Sequence, residues 1–203
     1  MSITSTHGSA DFSPFPTRRV TVEEYHRMAE VGLLSEVERV ELLEGWVVPK
    51  MIHNPAHDCT IELADELLRP LLRGGWRIRI QSVVTTADSE PEPDLAIVRG
   101  PAGRYLDKHP QAADVAIVIE VAESSLDRDR HKCRLYARAG IAIYWIVNLI
   151  DCNVEVYRDP IVADGEPRYA VQTSYDVGDK VPVEIVGQEV GRVAIAELFP
   201  AGE

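Results

Sequence analysis

The sequence predicts a mixed α/β sheet with helices on both faces, and three observations carry that reading. The run Asp114-Val115-Ala116-Ile117-Val118-Ile119-Glu120-Val121-Ala122 is short, β-branched and apolar on both alternating faces, like a central strand covered on both sides. Capped helical segments beginning at Thr21 and Asn54, and a third over residues 129–139, alternate with strand-like runs. The order helix, hairpin, helix, strands, helix, strands shows no internal repeat and fits a single layered sheet. With 203 residues, 45% of them hydrophobic, the chain can bury one sizeable core.

Each element has a local reason. Residues 1–18 are rich in Ser, Thr, Gly and Pro and are expected to form a flexible arm ahead of a single domain over 19–203. Thr21-Val22-Glu23-Glu24 has capping-box spacing and starts a helix that runs to about Gly32. From Val37 to Met51 an alternating pattern breaks at Glu44-Gly45, a two-residue hairpin turn. Asn54 caps the next helix with Pro55 at its first position; Cys59, Leu63, Leu67 and Leu71 form its expected apolar stripe, and Pro70 and Gly74-Gly75 end it. Strands follow at Trp76–Ser82, Val83–Ala87, Asp94–Arg99 and Val115–Ala122, with a Gly- and Pro-containing loop over 100–113. A helix over Asp129–Ala139 stops at Gly140, and strands recur at Ile143–Asn148 and Val154–Arg158. Further strands are expected at Tyr169–Thr173, Val181–Val186 and Val193–Ala196. This tail is more than the core needs and would expose sheet edges, so a homodimer through the C-terminal strands is expected.

Composition limits the function classes. No apolar stretch approaches the ~20 residues that span a bilayer, and Met1 to Pro16 lacks the charged-then-apolar pattern of a secretory signal. Cys59, Cys133 and Cys152 show no metal-ligand spacing and one is left over if two pair, so reduced thiols and a cytoplasmic location are expected. A net charge of -12 argues against tight, non-specific binding to nucleic acid. Basic residues do cluster locally, at Arg128, Arg130, Lys132, Arg134 and Arg138, and at Arg69, Arg73, Arg77 and Arg79 near Trp76. Either cluster could contact phosphate or form an ordinary solvated face.

Candidate chemistry starts from Glu120, a carboxylate where only aliphatics are comfortable. Left unpaired there it must protonate or find a cation. Asp94, in Glu92-Pro93-Asp94-Leu95-Ala96-Ile97-Val98, stands in the same kind of setting. Strand alternation puts Asp94, Ala96 and Val98 on one face and Ala116, Val118 and Glu120 on another, so neighbouring strands would aim both acids at one point. Such a pair suits a hard divalent cation, Mg²⁺ or Mn²⁺, which takes one or two carboxylates plus waters. The competing reading is that Glu120 simply pairs with Arg130 or Arg134. Lys132 borders the buried stripe of its helix, where it could orient a water or neutralise phosphate charge, or merely snorkel to solvent.

At these residues the sequence resembles a known family. Pro93-Asp94, Ile119-Glu120-Val121, Lys132 with Leu135-Tyr136-Ala137-Arg138-Ala139-Gly140, and Tyr144-Trp145-Ile146-Val147 are similar to the blocks of the Uma2 family. So are Val40-Glu41-Leu42-Leu43-Glu44-Gly45 and Asn54-Pro55-Ala56-His57, and the pieces stand in the family's order between about residues 21 and 158. The resemblance implies the restriction-endonuclease-like PD-(D/E)xK fold: a mixed sheet flanked by helices, here with an N-terminal hairpin and extra C-terminal strands. It implies Asp94, Glu120 and Lys132 as catalytic residues, with Asp94, Glu120 and Glu41 as metal ligands. His57 and Gln81 are second-rank candidates, His57 beside a helix N-terminus and Gln81 ending the strand before the acidic ones.

The expected function is therefore Mg²⁺-dependent hydrolysis of DNA; the alternative is a binding or assembly module that keeps the fold without turnover. Position 122, where the wider superfamily carries a strand lysine, is Ala122; the Uma2 pattern instead places the lysine on the following helix, and Lys132 occupies that position. Two departures from the family matter. The acid usually found just before the helix lysine is His131, and the glutamate often found after the hairpin glycine is Trp46.

Overall fold

The computed structural model describes residues 17–34 and 39–200, so the arm expected over 1–18 and the expected hairpin start at Val37 fall almost wholly outside the described residues. In chain order the elements are α1 (Val22–Glu30), β1 (Val40–Leu43), β2 (Trp46–Pro49), α2 (Pro55–Leu68), β3 (Trp76–Ile80), β4 (Leu95–Arg99) and β5 (Val115–Ala122). They continue with α3 (Leu126–Arg138), β6 (Ile143–Asn148), β7 (Asn153–Ala163), β8 (Glu166–Asp176), β9 (Lys180–Ile185) and β10 (Gln188–Ala194). Local chemistry sets the helix starts as the sequence implies. Thr21 and Glu24 form a reciprocal capping box, and the Asn54 side chain accepts the His57 amide with Pro55 at the first helical position.

The main sheet runs β3-β4-β5-β6-β7-β8. All its pairs are antiparallel except β5–β6, which α3 joins as a crossover. Every residue of β5 and β6 is buried, as continuous apolar strands require. On one face α2 (Ile61, Ala64, Leu68) and the β9–β10 hairpin (Val181, Val183, Val193) pack on Ile117, Ile119, Val121 and Trp145. On the other, Leu135 and Tyr136 of α3 pack on Val118, Tyr144 and Ile146.

Several expectations change. Val83–Ala87 is no strand: Thr85 makes one isolated bridge to Gln111, and the Thr86 amide turns back to the Ser89 carbonyl. Pro91 and Pro93 remove two donors that a hairpin partner would need. The buried line of α2 is His57, Thr60, Ile61, Ala64 and Leu68; Cys59, Leu63, Leu67 and Leu71 are half-buried. Two polar residues on the inner face hid that line. α3 starts three residues earlier than expected, at Leu126. β7 and β8 are longer than expected, joined by Asp164-Gly165 with φ of +55° and +81°, values that suit a tight hairpin turn. Pro160 is tolerated in β7 because β6 pairs only as far as Arg158. The C-terminal hairpin β9–β10 packs on the core, and the main sheet ends at β3 and β8, the latter part of the tail from which a dimer is expected.

The rotation of α2 is testable. Leu68→Ala should cost about 2–5 kcal/mol of unfolding free energy in urea titrations, the range for emptying a core leucine site, and Leu63→Ala less than half as much. Equal costs would place Leu63 in the core.

Candidate active site

The sheet register brings the two acids together. Leu95 pairs with Ile119, so Asp94, one residue before β4, meets Glu120 on β5. The backbone ties them further: the Val121 amide donates to Asp94 Oδ2 at 2.8 Å and the Asp94 amide to Glu120 Oε2 at 3.3 Å. Both are buried, with relative exposures of 6% and 3%. A register shift at Val98 sends Ala116 to the opposite face from Val118 and Glu120, contrary to simple alternation, but it lies upstream and leaves the acids aligned.

Lys132 comes down from α3 onto the face that Glu120 and Ala122 share. Its Nζ lies 2.9 Å from Glu120 Oε1, 3.5 Å from Asp129 Oδ1 and 3.8 Å from Glu41 Oε1. The Tyr136 hydroxyl, one helical turn on, donates to Glu120 Oε1 at 2.9 Å. The helix lysine thus reaches the acid that a strand lysine at position 122 would serve. Arg130 and Arg134 are not Glu120's partners; they pair with Glu155, and with Glu44 and Glu166.

Glu41 arrives from β1 and is buried, not solvated. Its hairpin reverses at Glu44-Gly45 with φ of +51° and +79°, and a Cβ on Gly45 would lie 2.6 Å from the Arg19 Cβ, so glycine is required. Arg128 donates to Glu41 Oε1 at 2.7 Å and the Glu92 amide to Oε2 at 3.3 Å. His57 Nε2 lies 3.2 Å from Asp94 Oδ2. Gln81 stands outside the cavity: its side chain meets His53 Nδ1 at 3.0 Å, and only its backbone amide touches the Asp94 carbonyl.

Glu41, Asp94, Glu120, Lys132 and His57 therefore line one cavity of about 70 Å³, room for an ion with a few waters. Burial pushes the Glu120 carboxyl up to about 8; Lys132 opposes that, while Asp129, Asp94 and Glu41 add to it. Burial also raises Asp129, against Lys132. Burial would depress the Lys132 ammonium, but Glu120, Glu41 and Asp129 outweigh it and hold it well above the ordinary lysine range. Desolvation likewise works against protonated His57, and Asp94 overcomes it. The cavity holds more carboxylates than cations, in a setting that favours uptake of a proton or a cation.

Four contributors escaped the sequence reading. Asp129 supplies the helix acid missing at position 131, one turn before Lys132, a spacing that could have been read. His131 is exposed beside the Asp127 carbonyl, and Trp46 packs under Arg19. Arg128, Tyr136 and His53 had been assigned to a charge run, an apolar stripe and nothing. The basic cluster of α3 is spent on ion pairs, with Arg138 on Glu44 and Asp88, so it forms no free phosphate-binding face.

A mixed sheet with helices on both faces and a buried acidic pair at the end of its central strands is the restriction-endonuclease-like architecture. The chain belongs to the Uma2 family, described as "Putative restriction endonuclease", whose model matches residues 22–192. It shares its fold with "a putative nuclease belonging to DUF820" from Anabaena variabilis, at a TM-score of 0.65 and 16% identity over 89% of this chain and 97% of that one. No curated protein matches it.

The Glu120 shift makes a pH prediction. A folded-state carboxyl near 8 against an ordinary 4.5 means that the native state takes up a proton first. Stability is therefore gained as pH falls from above 8 toward 4.5. Glu120→Gln lacks this titration, so the melting temperature of wild type should rise relative to that of the variant at each step down from about pH 9. Parallel curves would show that Glu120 ionises normally.

Proposed function

We propose that the protein is a metal-dependent endonuclease of the PD-(D/E)xK type that hydrolyses DNA phosphodiester bonds with Mg²⁺ or Mn²⁺. One observation carries the reading: Glu41, Asp94, Glu120 and Lys132, from a hairpin, two strands and a helix, converge on a single polar cavity. The donor set fits a hard cation, because Asp94, Glu120 and Glu41 offer only oxygen and each carboxylate keeps lone pairs beyond its present hydrogen bonds. What a divalent ion supplies there is Lewis acidity toward a phosphate oxygen and easier deprotonation of water.

The chain's own groups do the rest. Lys132, held charged by three carboxylates, donates to the incoming water or to a phosphate oxygen and offsets the charge that develops on phosphorus. Tyr136 and the Asp94 amide fix the Glu120 carboxylate, and His57 and the Val121 amide fix Asp94. With the α3 arginines paired, we assign DNA contact to the second basic cluster, where Arg69 pairs with Asp65 and Arg73, Arg77 and Arg79 make no ion pair with the described residues. Arg79 lies over the Tyr105 ring. The binding-module alternative draws support from the ion pairs that already engage Glu41 and Glu120.

Nicking of supercoiled DNA separates the two. Wild type with Mg²⁺ or Mn²⁺ should nick, and Asp94→Ala and Lys132→Ala should lose about 100-fold or more. Lys132→Arg should recover little, since a planar fork does not replace a point charge. Failure of wild type to nick with either metal would favour the binding module; nicking by Lys132→Ala at the wild-type rate would leave the lysine structural.

A cytoplasmic location goes with this reading, in keeping with three free cysteines. Among the described residues no helix is long and apolar enough to cross a membrane. Cleavage of both strands of a duplex calls for two sites, so a homodimer is part of the proposal, formed through the open edge of β8. Light scattering at tens of micromolar should give twice the chain mass; a monomer mass refutes that part.

A further inference from the structure

Beside the acidic cavity lies a second cluster of different donor chemistry. His53, just before the Asn54 cap, and His57 and Asp58, in the first turn of α2, place their ligating atoms within 4.8 Å of one another. His53 Nδ1 and His57 Nδ1 lie 3.5 Å and 3.6 Å from the same oxygen, Asp58 Oδ1. A tetrahedral ion with bonds of about 2.0–2.1 Å needs ligand atoms about 3.3–3.4 Å apart, so these separations are near those of an assembled site. The two imidazole rings stack with centroids 4.2 Å apart.

The second observation is an orphan. His57 Nδ1 is buried and has no hydrogen-bond partner, although the residue is only 8% exposed. Its other nitrogen, Nε2, faces Asp94 Oδ2 at 3.2 Å, where a carboxylate demands an N–H. In the neutral ring the proton therefore belongs on Nε2, and the buried Nδ1 presents a lone pair toward His53 and Asp58. His53 Nδ1 also presents a lone pair, now occupied by the Gln81 amide at 3.0 Å, an exchangeable contact.

We propose that His53, His57 and Asp58 form a binding site for a transition-metal dication of the Zn²⁺ or Co²⁺ class. Two imidazole nitrogens and one carboxylate suit such ions and not Mg²⁺, and the exposed side of Asp58 leaves a coordination position open to water. Arg39 is near His53, but Asp58 and Asp94 outnumber it. The site is joined to the acidic cavity through one ring: His57 would ligate through Nδ1 while donating Nε2–H to Asp94, the carboxylate–imidazole–metal relay that orients ligands in metalloproteins. Occupancy would lock His57 in that tautomer and so hold Asp94 in place. The inference needs neither nuclease activity nor Mg²⁺, because none of its three ligands is Glu41, Asp94 or Glu120.

Titration of the full chain with Zn²⁺ against a chromophoric chelator, and with Co²⁺ by visible absorption, tests it. Wild type should bind one ion with the intense d–d bands of four-coordinate Co²⁺. His53→Ala and Asp58→Asn, both at partly exposed positions and folded by circular dichroism, should bind at least about tenfold more weakly. The double variant E41Q/E120Q, likewise shown folded by circular dichroism, should keep Zn²⁺ affinity within about twofold of wild type, which separates this site from the proposed Mg²⁺ site. The proposal is overturned if wild type binds no Zn²⁺, if His53→Ala and Asp58→Asn titrate like wild type, or if E41Q/E120Q abolishes binding.

Discussion

A carboxylate in the middle of a sheet is the constraint around which the site is organised. Glu120 stands on a strand whose every residue is buried, so its charge must be met by groups brought to it. Lys132 and Tyr136 meet one oxygen and the Asp94 amide the other. This sets the rotation of α3: Leu135 and Tyr136 can pack into the core only if Lys132 stays turned toward Glu120. The ammonium, itself buried, then requires more than one carboxylate, and Asp129 and Glu41 supply them. Arg128 completes the chain of compensation by taking Glu41. Such a cluster does not add net stability; an ion pair removed whole and replaced by apolar side chains is often better tolerated, whereas deleting one partner strands a buried charge at about 3–5 kcal/mol. A sheet that needed only to fold would have an aliphatic at position 120.

The topology explains why the cluster sits where it does. β5 and β6 are parallel and α3 is the crossover between them, so the loop leaving β5 must rise from the sheet end and turn back over it. Glu123, Ser124 and Ser125 of that loop line the cavity, as crevices outside the carboxyl ends of parallel strands commonly do. β4 runs antiparallel to β5, so its beginning, Asp94, lies at the same end. The N-terminal hairpin is docked there by the Glu90 amide on the Leu42 carbonyl and by the Gly45 amide on the Asp88 carbonyl. The segment between β3 and β4 is therefore not idle loop: Asp88 and Glu90 hold the hairpin that delivers Glu41, while the amides of Val84, Thr85 and Thr86 turn to the carbonyls of Pro91, Pro110 and Ser89.

This division marks what could be read from the sequence. Caps, glycine turns and continuous apolar strands are local, and Thr21, Asn54, Glu44-Gly45 and β5 were legible because each is decided within a few residues. Asp94, Glu120, Lys132 and Glu41 were found by their setting and by family resemblance, and the structure gathers them. The errors fell where tertiary contacts override local signals. α2 was read one face off because its inner line includes His57 and Thr60, buried for what they face and not for their hydrophobicity. The α3 arginines read equally as a phosphate-binding run or a solvated face, because their acidic partners, Glu41, Glu155 and Glu44, lie far away in sequence. The β7–β8 ladder is longer than the sequence implies, with Pro160 and Pro167 inside the paired strands.

The acidity of the whole chain and the proposed polyanionic substrate are less opposed than the net charge of -12 implies. Exposed charges separated by more than a Debye length, about 8 Å in physiological salt, are largely screened, so a nucleic acid at the cavity responds to its immediate surroundings. There the carboxylates outnumber Lys132 and Arg128, and a phosphate would be repelled from the bare cavity. Under the proposed function Glu41, Asp94 and Glu120 would hold a divalent cation, whose charge would reverse that sign locally. Under the proposed function, substrate affinity is thus conditional on metal. Glu120's raised proton affinity and the cation proposed beside it share one origin, a buried carboxyl among other acids.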